Sequence, residues 1–555
     1  MIFSFYSLGC KLNQLESEAI ADCFRREGFT FVPWDKTGNP AAAESPPAGQ
    51  RADEGGIFVI NTCTVTSMAE QKARRVIRKT LREHPHVCLL ATGCYAQMDR
   101  AGLEALEDEV SGGNDGGNGA PRFNRPPGAF HASGRLFVIP GEMKDRLLDL
   151  PAFLSKAGVV PAGDSGTEGS ALSGLLAAWL DSLRGVHAPS LQGGVVDSLS
   201  REHAAGRNGD PPGARDGSFR FRPERFSAHS RGFLKIQDGC DRRCAYCRVS
   251  LARGKSRSLP AEDALKELRS LEERGFTEVV ITGVNISQYR DSHGTEAPLG
   301  LPELLILLLE GTEKIRLRLS SIEPEAVTDG LIHVLENPRI RPHFHLSLQS
   351  GSAEILSKMG RPYGPSDIEK AVERLRSVKE DPFLACDIIA GFPGETEEEF
   401  EKTFALCIAS GFAWIHAFPF SGRPGTAACD FPRKVSERDA VYRVERLTEL
   451  ARRFRRDYIG RWEGKEVEAV VEAGKGLPKG FAAGVSENYL KLLIACDGEA
   501  LAEKPAPGAL LRCRILRSGS PEEPIIKGKN PGNSRFDAMA KKTPESICPN
   551  GKKVV

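Results

Sequence analysis

The chain has 555 residues, 75 of them Lys or Arg and 74 Asp or Glu, for a net charge of +1; 40% are hydrophobic and 27% charged. One core cannot absorb that length, so about three or four domains are expected. The charge balance excludes a protein that gathers polyanions by its overall field and leaves local patches as the route to nucleic acid. The 14 cysteines are too sparse for a disulfide scaffold. Met1-Ile2-Phe3-Ser4-Phe5-Tyr6 lacks the basic start and long apolar stretch of a secretory signal. The longest apolar run, Leu304 to Leu309, is far short of the roughly 20 residues that cross a bilayer. The expected setting is the cytoplasm, with no membrane, where clustered cysteines signal metal or redox chemistry.

Residues 1 to 157 repeat an apolar strand, a turn carrying a cysteine and an amphipathic helix three times, at Phe3 to Cys10, Ile57 to Cys63 and Val87 to Cys94. The fold class is α/β, beginning with an open parallel sheet. Ligands of such sheets sit beyond the carboxyl ends of the strands, where Cys10, Cys63 and Cys94 all fall. Gly/Pro/Ala-rich stretches at about 38–56 and 111–134 read as insertions. The longer 158–230 stretch reads as a low-complexity linker with one helix candidate around Leu172 to Leu183. From 231 to 455 six strands are predicted, at 233–238, 278–284, 315–321, 343–349, 385–391 and 414–420. Each is followed by a helical segment, the pattern of a partial (β/α) barrel. Residues 456–520 lose the helical period and predict a small β-barrel, and 521–555 reads as a solvated basic tail.

Cys240, Cys244 and Cys247 stand as C-x3-C-x2-C behind the first barrel strand. Three thiolates on one tight loop are ligands for an iron-sulfur cluster, and three cysteines for four irons leave one iron open to a chelating ligand. A structural zinc knuckle is the alternative, though no second Cys or His pair stands nearby. Each cysteine of the amino-terminal trio precedes a helix, whose N-terminus is expected to lower its thiol pKa. One such cysteine alone reads as a small buried residue. Three at equivalent places predict a second cluster.

The C-x3-C-x2-C loop resembles the signature of the radical S-adenosylmethionine (SAM) superfamily. The wider set resembles the methylthiotransferase family: Gly9-Cys10-Lys11-Leu12-Asn13-Gln14, Asn61-Thr62-Cys63-Thr64-Val65-Thr66, Thr92-Gly93-Cys94-Tyr95, Ile236-Gln237-Asp238-Gly239-Cys240, Thr282-Gly283-Val284-Asn285, Arg318 to Pro324, His345 to Gly351 and Asp387 to Thr396. The wording around Cys10 and Cys63 is similar to the branch acting on N6-threonylcarbamoyladenosine beside the tRNA anticodon. The isopentenyladenosine branch has Gln-Met-Asn after its first cysteine, and the ribosomal-protein branch Pro-Lys-Asn. One departure is Ser250, where the family has Pro.

The resemblance implies an open sheet, a radical SAM (partial TIM) barrel and a TRAM-like β-barrel. It also implies two 4Fe-4S clusters, on Cys10, Cys63 and Cys94 and on Cys240, Cys244 and Cys247, with SAM on the open iron of the second trio. The implied reaction removes a hydrogen from C2 of the adenine ring by way of a 5′-deoxyadenosyl radical and delivers a methylated sulfur there. Tyr246, Gly283, Ser320, Glu323, Gln349 and Asp387 fall where SAM would be held. Glycine at 283 would let backbone approach the ligand, and Ser320 and Glu323 end a strand where a ribose would be bonded. Thr396 and Glu399 read as a capping box. Arg452, Arg453, Arg455, Arg456, Tyr458, Arg461 and Lys465 interleave charge with aromatic surface as RNA contacts do, a solvated helix face being the plainer reading. The helix holding Arg74, Arg75, Arg78, Lys79 and Arg82 is a second candidate patch. The partners implied are tRNA and an electron donor whose identity the residues do not specify, with the protein a monomer. The alternatives are methylthiolation of isopentenyladenosine in tRNA or of a ribosomal-protein aspartate, and a non-catalytic zinc-containing RNA-binding protein.

Overall fold

A computed structural model of the chain describes residues 1–34, 56–111, 134–159, 169–183, 217–226, 230–292, 298–474, 477, 480–495 and 505–516, and the backbone of short strands at 538–542, 546–547 and 553–554. Almost all of the insertions expected at 38–56 and 111–134, and most of the 158–230 and 521–555 stretches, lie outside these residues. The chain forms two compact units. One is Met1–Arg225 with Arg248–Gly254; the other is Phe226–Cys247 with Lys255–Val555. No described helix is long and apolar enough to cross a membrane.

The first unit is a five-stranded sheet in the order β2-β1-β3-β4-β5. Its strands are β1 (Ile2–Ser7), β2 (Thr30–Phe31), β3 (Gly56–Thr62), β4 (Val87–Gly93) and β5 (Leu136–Val138), and every pairing is parallel. All seven residues of β3 and all seven of β4 are buried, as expected of strands covered on both faces. Alternation divides them between two cores. Ile57, Val59 and Leu90 face the helix Lys11–Arg26, while Phe58, Ile60 and Leu89 face the helix Ser67–Glu83. The stretch read as a linker contributes to the first core. The helix Gly169–Leu183 forms where a helix is predicted, and it buries Leu172, Leu176, Trp179 and Leu180 beside Phe24 and Phe153. Phe221 joins them. An apolar helix face must be covered, and this sheet covers it.

The second unit holds β6 (Gly232–Lys235), β7 (Gln237–Asp238), β8 (Arg257–Ser258), β9 (Glu278–Thr282), β10 (Arg316–Leu319), β11 (His343–Gln349), β12 (Phe383–Ala390) and β13 (Trp414–Pro419). Parallel β6, β9 and β10 form one three-stranded sheet and parallel β11, β12 and β13 another. The bridges Leu317 to Ile340 and Ile322 to Leu346 join them. This is the predicted partial barrel, with strands at all six predicted places. The short β7 and β8 pair antiparallel.

The helix expected to end near 455 runs on from Glu437 to Trp462, because Tyr458 and Trp462 bury their rings in the adjoining core. The small barrel therefore begins later than predicted. Its strands are β14 (Glu466–Glu472), β15 (Phe481–Ser486), β16 (Lys491–Ala495), β17 (Leu510–Leu516) and β18 (Ala538–Lys542), closed in the order β14-β15-β16-β18-β17. The last strand comes from the segment read as a solvated tail. It pairs parallel to β16 and antiparallel to β17, covering two edges that would otherwise be open.

Candidate functional site

In the first unit the cysteine trio stands at the carboxyl ends of three adjacent strands. Cys63 follows β3, Cys94 follows β4 and opens the helix Cys94–Met98, and Cys10 caps the helix Lys11–Arg26 one residue after Gly9. Two glycines make the approach possible. Gly9 has φ +100°, and a Cβ there would lie 2.6 Å from Cys63 Sγ; Gly93 has φ +103°, and a Cβ there would strike the Thr62 carbonyl. Both positions combine a left-handed backbone with no room for a side chain.

Asn13, fully buried, ties these turns together. Its Nδ2 donates to the carbonyls of Leu8 (2.8 Å) and Thr62 (3.0 Å), and its Oδ1 accepts from Arg253 Nη2 (2.9 Å). Asn61 Nδ2 donates in turn to the Asn13 carbonyl (2.9 Å). Asn13→Ala is expected to strand two carbonyls and cost about 1–3 kcal/mol, read from the denaturant midpoint.

The expected lowering of the thiol pKa is not what Cys10 and Cys63 show. Burial pushes the Cys63 thiol up to about 12, against the Val65 amide and Arg253, which pull it down. Packing also raises the Cys10 thiol, although Cys10 has accessible surface, and Arg253 again opposes the rise. Cys63 precedes its own helix by a turn, since the cap there is Thr66. The three sulfurs nevertheless influence one another: Cys94 acts on Cys10, and Cys10 and Cys94 act on Cys63.

In the second unit Cys240, Cys244 and Cys247 lie on a loop behind β7, all three partly accessible. The loop is pinned by Ala245 N–H on the Met359 carbonyl, Ala428 N–H on the Ala245 carbonyl and Cys247 N–H on the Cys244 carbonyl, at 2.8 to 3.0 Å. Arg361 donates through Nη1 to Cys244 Sγ (3.2 Å) and through Nη2 to Glu323 (2.7 Å). Burial raises the Cys240 thiol, and the Arg242 amide and the Asn285 side chain oppose this. Buried Gln237 donates to the Asp238 and Gly239 carbonyls and accepts from the Asn285 amide (2.8 Å), joining the turn before Cys240 to the turn after β9.

The residues expected to hold SAM divide. Ser320 Oγ is buried without a hydrogen-bond partner among the described residues, the condition of a hydroxyl awaiting a ligand. Gln349 ends β11 at φ +70°, a rare conformation outside glycine, beside a register shift. Tyr246 packs beside Phe392 and Ile355, and burial raises its phenol. The space above Gly283 is taken by Gln237, whose Oε1 would stand 2.9 Å from a Cβ there, so that glycine answers to packing within the chain. Glu323 is 4% exposed and accepts from Arg242 and Arg361. Burial works to raise its carboxyl, and Arg361, Asn285 and Arg242 hold it below the usual range. Asp387 lies 3.4 Å from His345 Nε2; against burial, that imidazole holds its carboxyl low. The other ring nitrogen of His345 meets Ser321 Oγ. Thr396 caps its helix as predicted, while Glu399 turns to Ser352 and Lys402 and does not close the box.

The expected RNA residues all precede the small barrel. Tyr458 is 1% exposed, donates to the Asp381 carbonyl and accepts from Asn488, so its ring cannot stack on a base. Arg461 grips both Asp381 oxygens, Lys465 pairs with Glu380 and Arg452 with Glu449. Arg455 lies over the Trp414 ring. Arg453 and Arg456 are exposed. In the second patch Arg74 pairs with Asp99 and Arg78 with Glu109.

The donor sets fit iron-sulfur clusters: two sets of three cysteines, with an arginine N–H on one sulfur of each. Among the described residues no three thiol, imidazole or carboxylate groups crowd closely enough for a single metal ion; a cluster spreads its thiolates more widely. Asn13, Asn285 and His345 fall within the sequence motifs, although spacing alone gives them no role. Glu16, Arg253 and Arg361 carry no sequence signal, since only the fold brings them to the sulfurs, and Lys144 reaches the first trio only through Glu16.

Residues 234–407 match the model of the radical SAM superfamily, and residues 3–112 that of an uncharacterized protein family, UPF0004. The chain is 38% identical over 541 residues to a Treponema pallidum protein named threonylcarbamoyladenosine tRNA methylthiotransferase MtaB, covering 93% of this chain and 98% of that one. The Thermotoga maritima protein of the same name is 30% identical over 87% of this chain and 89% of its own length. A Nitratidesulfovibrio vulgaris protein named tRNA-2-methylthio-N(6)-dimethylallyladenosine synthase is 28% identical over 85% of this chain and 86% of its own.

Proposed function

The chain belongs to the radical SAM methylthiotransferase family of its threonylcarbamoyladenosine tRNA relatives, and from that premise we propose that it methylthiolates C2 of N6-threonylcarbamoyladenosine next to the anticodon of tRNA. The observation that carries the reading is the gathering of Cys10, Cys63 and Cys94 at adjacent strand ends, in a chain that also holds Cys240, Cys244 and Cys247 on one pinned loop. The 38% identity to the Treponema pallidum threonylcarbamoyladenosine relative over 98% of its length supports the choice of branch.

When bound, two 4Fe-4S clusters and SAM supply one-electron cleavage of a sulfonium bond and a sulfur donor, chemistry needed because an aromatic C–H offers no handle to acids or bases. Cys240, Cys244 and Cys247 would hold one cluster and Cys10, Cys63 and Cys94 the other. Each trio leaves a fourth position for an exogenous ligand. Arg361 orients Cys244 and at the same time fixes the Glu323 carboxylate at the end of β10. Ser320 offers its hydroxyl and Gln349 its amide at the carboxyl ends of β10 and β11, where ligands of such barrels bind, and Asp387 stands within β12.

For the tRNA, Arg453 and Arg456 supply accessible positive charge. Replacing both with Ala is expected to weaken tRNA binding modestly and to reduce the salt slope of the affinity by about two, roughly one per lost phosphate contact. Filter binding across a salt series checks it. An electron donor and a monomeric state complete the proposal. Its test is anaerobic turnover with SAM and tRNA carrying the threonylcarbamoyl group, followed by nucleoside mass spectrometry. A methylthio adduct of that nucleoside is expected. Unchanged tRNA, or an adduct only on isopentenyladenosine tRNA or on a ribosomal protein, overturns it.

A further inference from the structure

The chain enters the first unit at Arg248 and leaves it at Gly254, with second-unit sequence on both sides. The short helix Val249–Arg253 delivers two arginines to the strand-end turns. Arg248 pairs with Glu70 (3.2 Å) in the first turn of the helix Ser67–Glu83 that follows Cys63. Arg253 reaches the cysteine trio itself: Nε donates to Cys94 Sγ (3.3 Å), Nη1 to Glu16 Oε1 (2.9 Å), and Nη2 to Asn13 Oδ1 (2.9 Å) and Glu16 Oε2 (3.2 Å). Its side chain is 9% exposed and that of Glu16 2%. Glu16 also accepts from Lys144 (2.6 Å), so its carboxylate is shared between two cations. The guanidinium is thus clamped on one side by a carboxylate and an amide and turned with its remaining Nε–H toward sulfur. A planar fork held at three points has little freedom to turn elsewhere.

We propose that Arg253 is a positioning residue for the group held by Cys10, Cys63 and Cys94: its fixed positive charge and its N–H on Cys94 Sγ raise that group's reduction potential. The inference rests on reading the trio as a four-iron site. Reduction adds negative charge, and a cation fixed in a low-dielectric setting favours the reduced form, while hydrogen bonds to ligand sulfur act in the same direction. The second unit repeats the arrangement with Arg361 on Cys244, so one arginine serves one sulfur at each trio.

The test uses the full chain with Cys240→Ala, Cys244→Ala and Cys247→Ala, which leaves one cluster to observe. This parent should hold about four irons. A parent without iron overturns both the site reading and the inference. In an iron-loaded parent, Arg253→Gln should lower the midpoint potential, followed by electron paramagnetic resonance. The shift should equal at least a tenfold change in the reduction equilibrium, 59 mV for a one-electron couple, and Arg253→Lys should lower it less. An Arg253→Gln potential equal to or above the parent's overturns the inference alone. A second measurement needs no variant at position 253: in the reduced parent grown with 15N-guanidino arginine, electron-nuclear double resonance should show a 15N coupling to the cluster. Its absence also overturns the inference.

Discussion

Cys94→Ala is expected to reduce methylthio product to background while cleavage of SAM to 5′-deoxyadenosine remains measurable. The substitution removes one of three sulfurs from the strand-end trio and the sulfur on which Arg253 Nε rests. The Cys240, Cys244 and Cys247 loop belongs to the other unit and draws its hydrogen bonds from Met359, Ala428, Arg361 and Asn285, none of which the substitution touches. Iron should fall from about eight to about four per chain. The helix Cys94–Met98 tolerates alanine at its first position, since Cys94 caps nothing with its side chain, so the loss should reflect sulfur chemistry and leave thermal unfolding close to wild type. Chromatography of the nucleoside digest and of 5′-deoxyadenosine from one reaction checks it. Methylthio product at the wild-type level would show that the strand-end trio is dispensable.

The largest effect on stability is expected from Glu278→Gln. Glu278 opens β9 with its side chain fully buried, and three arginines converge on it. Arg318 forks onto both oxygens (2.7 and 3.1 Å), Arg341 Nε donates at 2.9 Å, and Arg231 stands at 3.5 Å. Burial would raise this carboxyl, yet Arg318 and Arg341 hold it far below the ordinary range. The same arginines bind the small barrel: Arg318 donates to the carbonyls of Ser486 and Glu487, and Arg341 to Glu468. Removing the central charge leaves the buried Arg318 guanidinium without its counter-ion, a change that costs about 3–5 kcal/mol. Because Glu278 lies at the amino end of its strand and the ligand-bearing residues at the carboxyl ends, iron content should be unchanged in folded protein. Denaturant unfolding checks it, and a loss below about 1 kcal/mol would show that the network contributes little.

The barrel strands were legible because parallel strands buried on both faces read as continuous apolar runs, as in Val279-Val280-Ile281 and Phe383 to Cys386. The end of the helix Glu437–Trp462 was not. The run Arg452, Arg453, Arg455 and Arg456 hides its period, while the two residues that keep it helical, Tyr458 and Trp462, act through tertiary burial. Strand β18 was missed because its sequence, Ala538 to Lys542, has no strand pattern and forms only by pairing with β16 and β17. In the site, the six cysteines announced themselves by spacing. The charges on them did not: Arg253 and Glu16 are separated by more than 230 residues of chain, and nothing local marks either. The expectation of an acidic thiol failed at Cys63 because desolvation outweighs the Val65 amide and Arg253.

The metal content of the two trios decides whether both hold clusters. After anaerobic reconstitution the wild-type chain should carry about eight irons with matching sulfide. The Cys10→Ala, Cys63→Ala, Cys94→Ala variant and the Cys240→Ala, Cys244→Ala, Cys247→Ala variant should each carry about four. Zinc in place of iron, or a triple variant that retains all eight, would contradict a cluster on each trio.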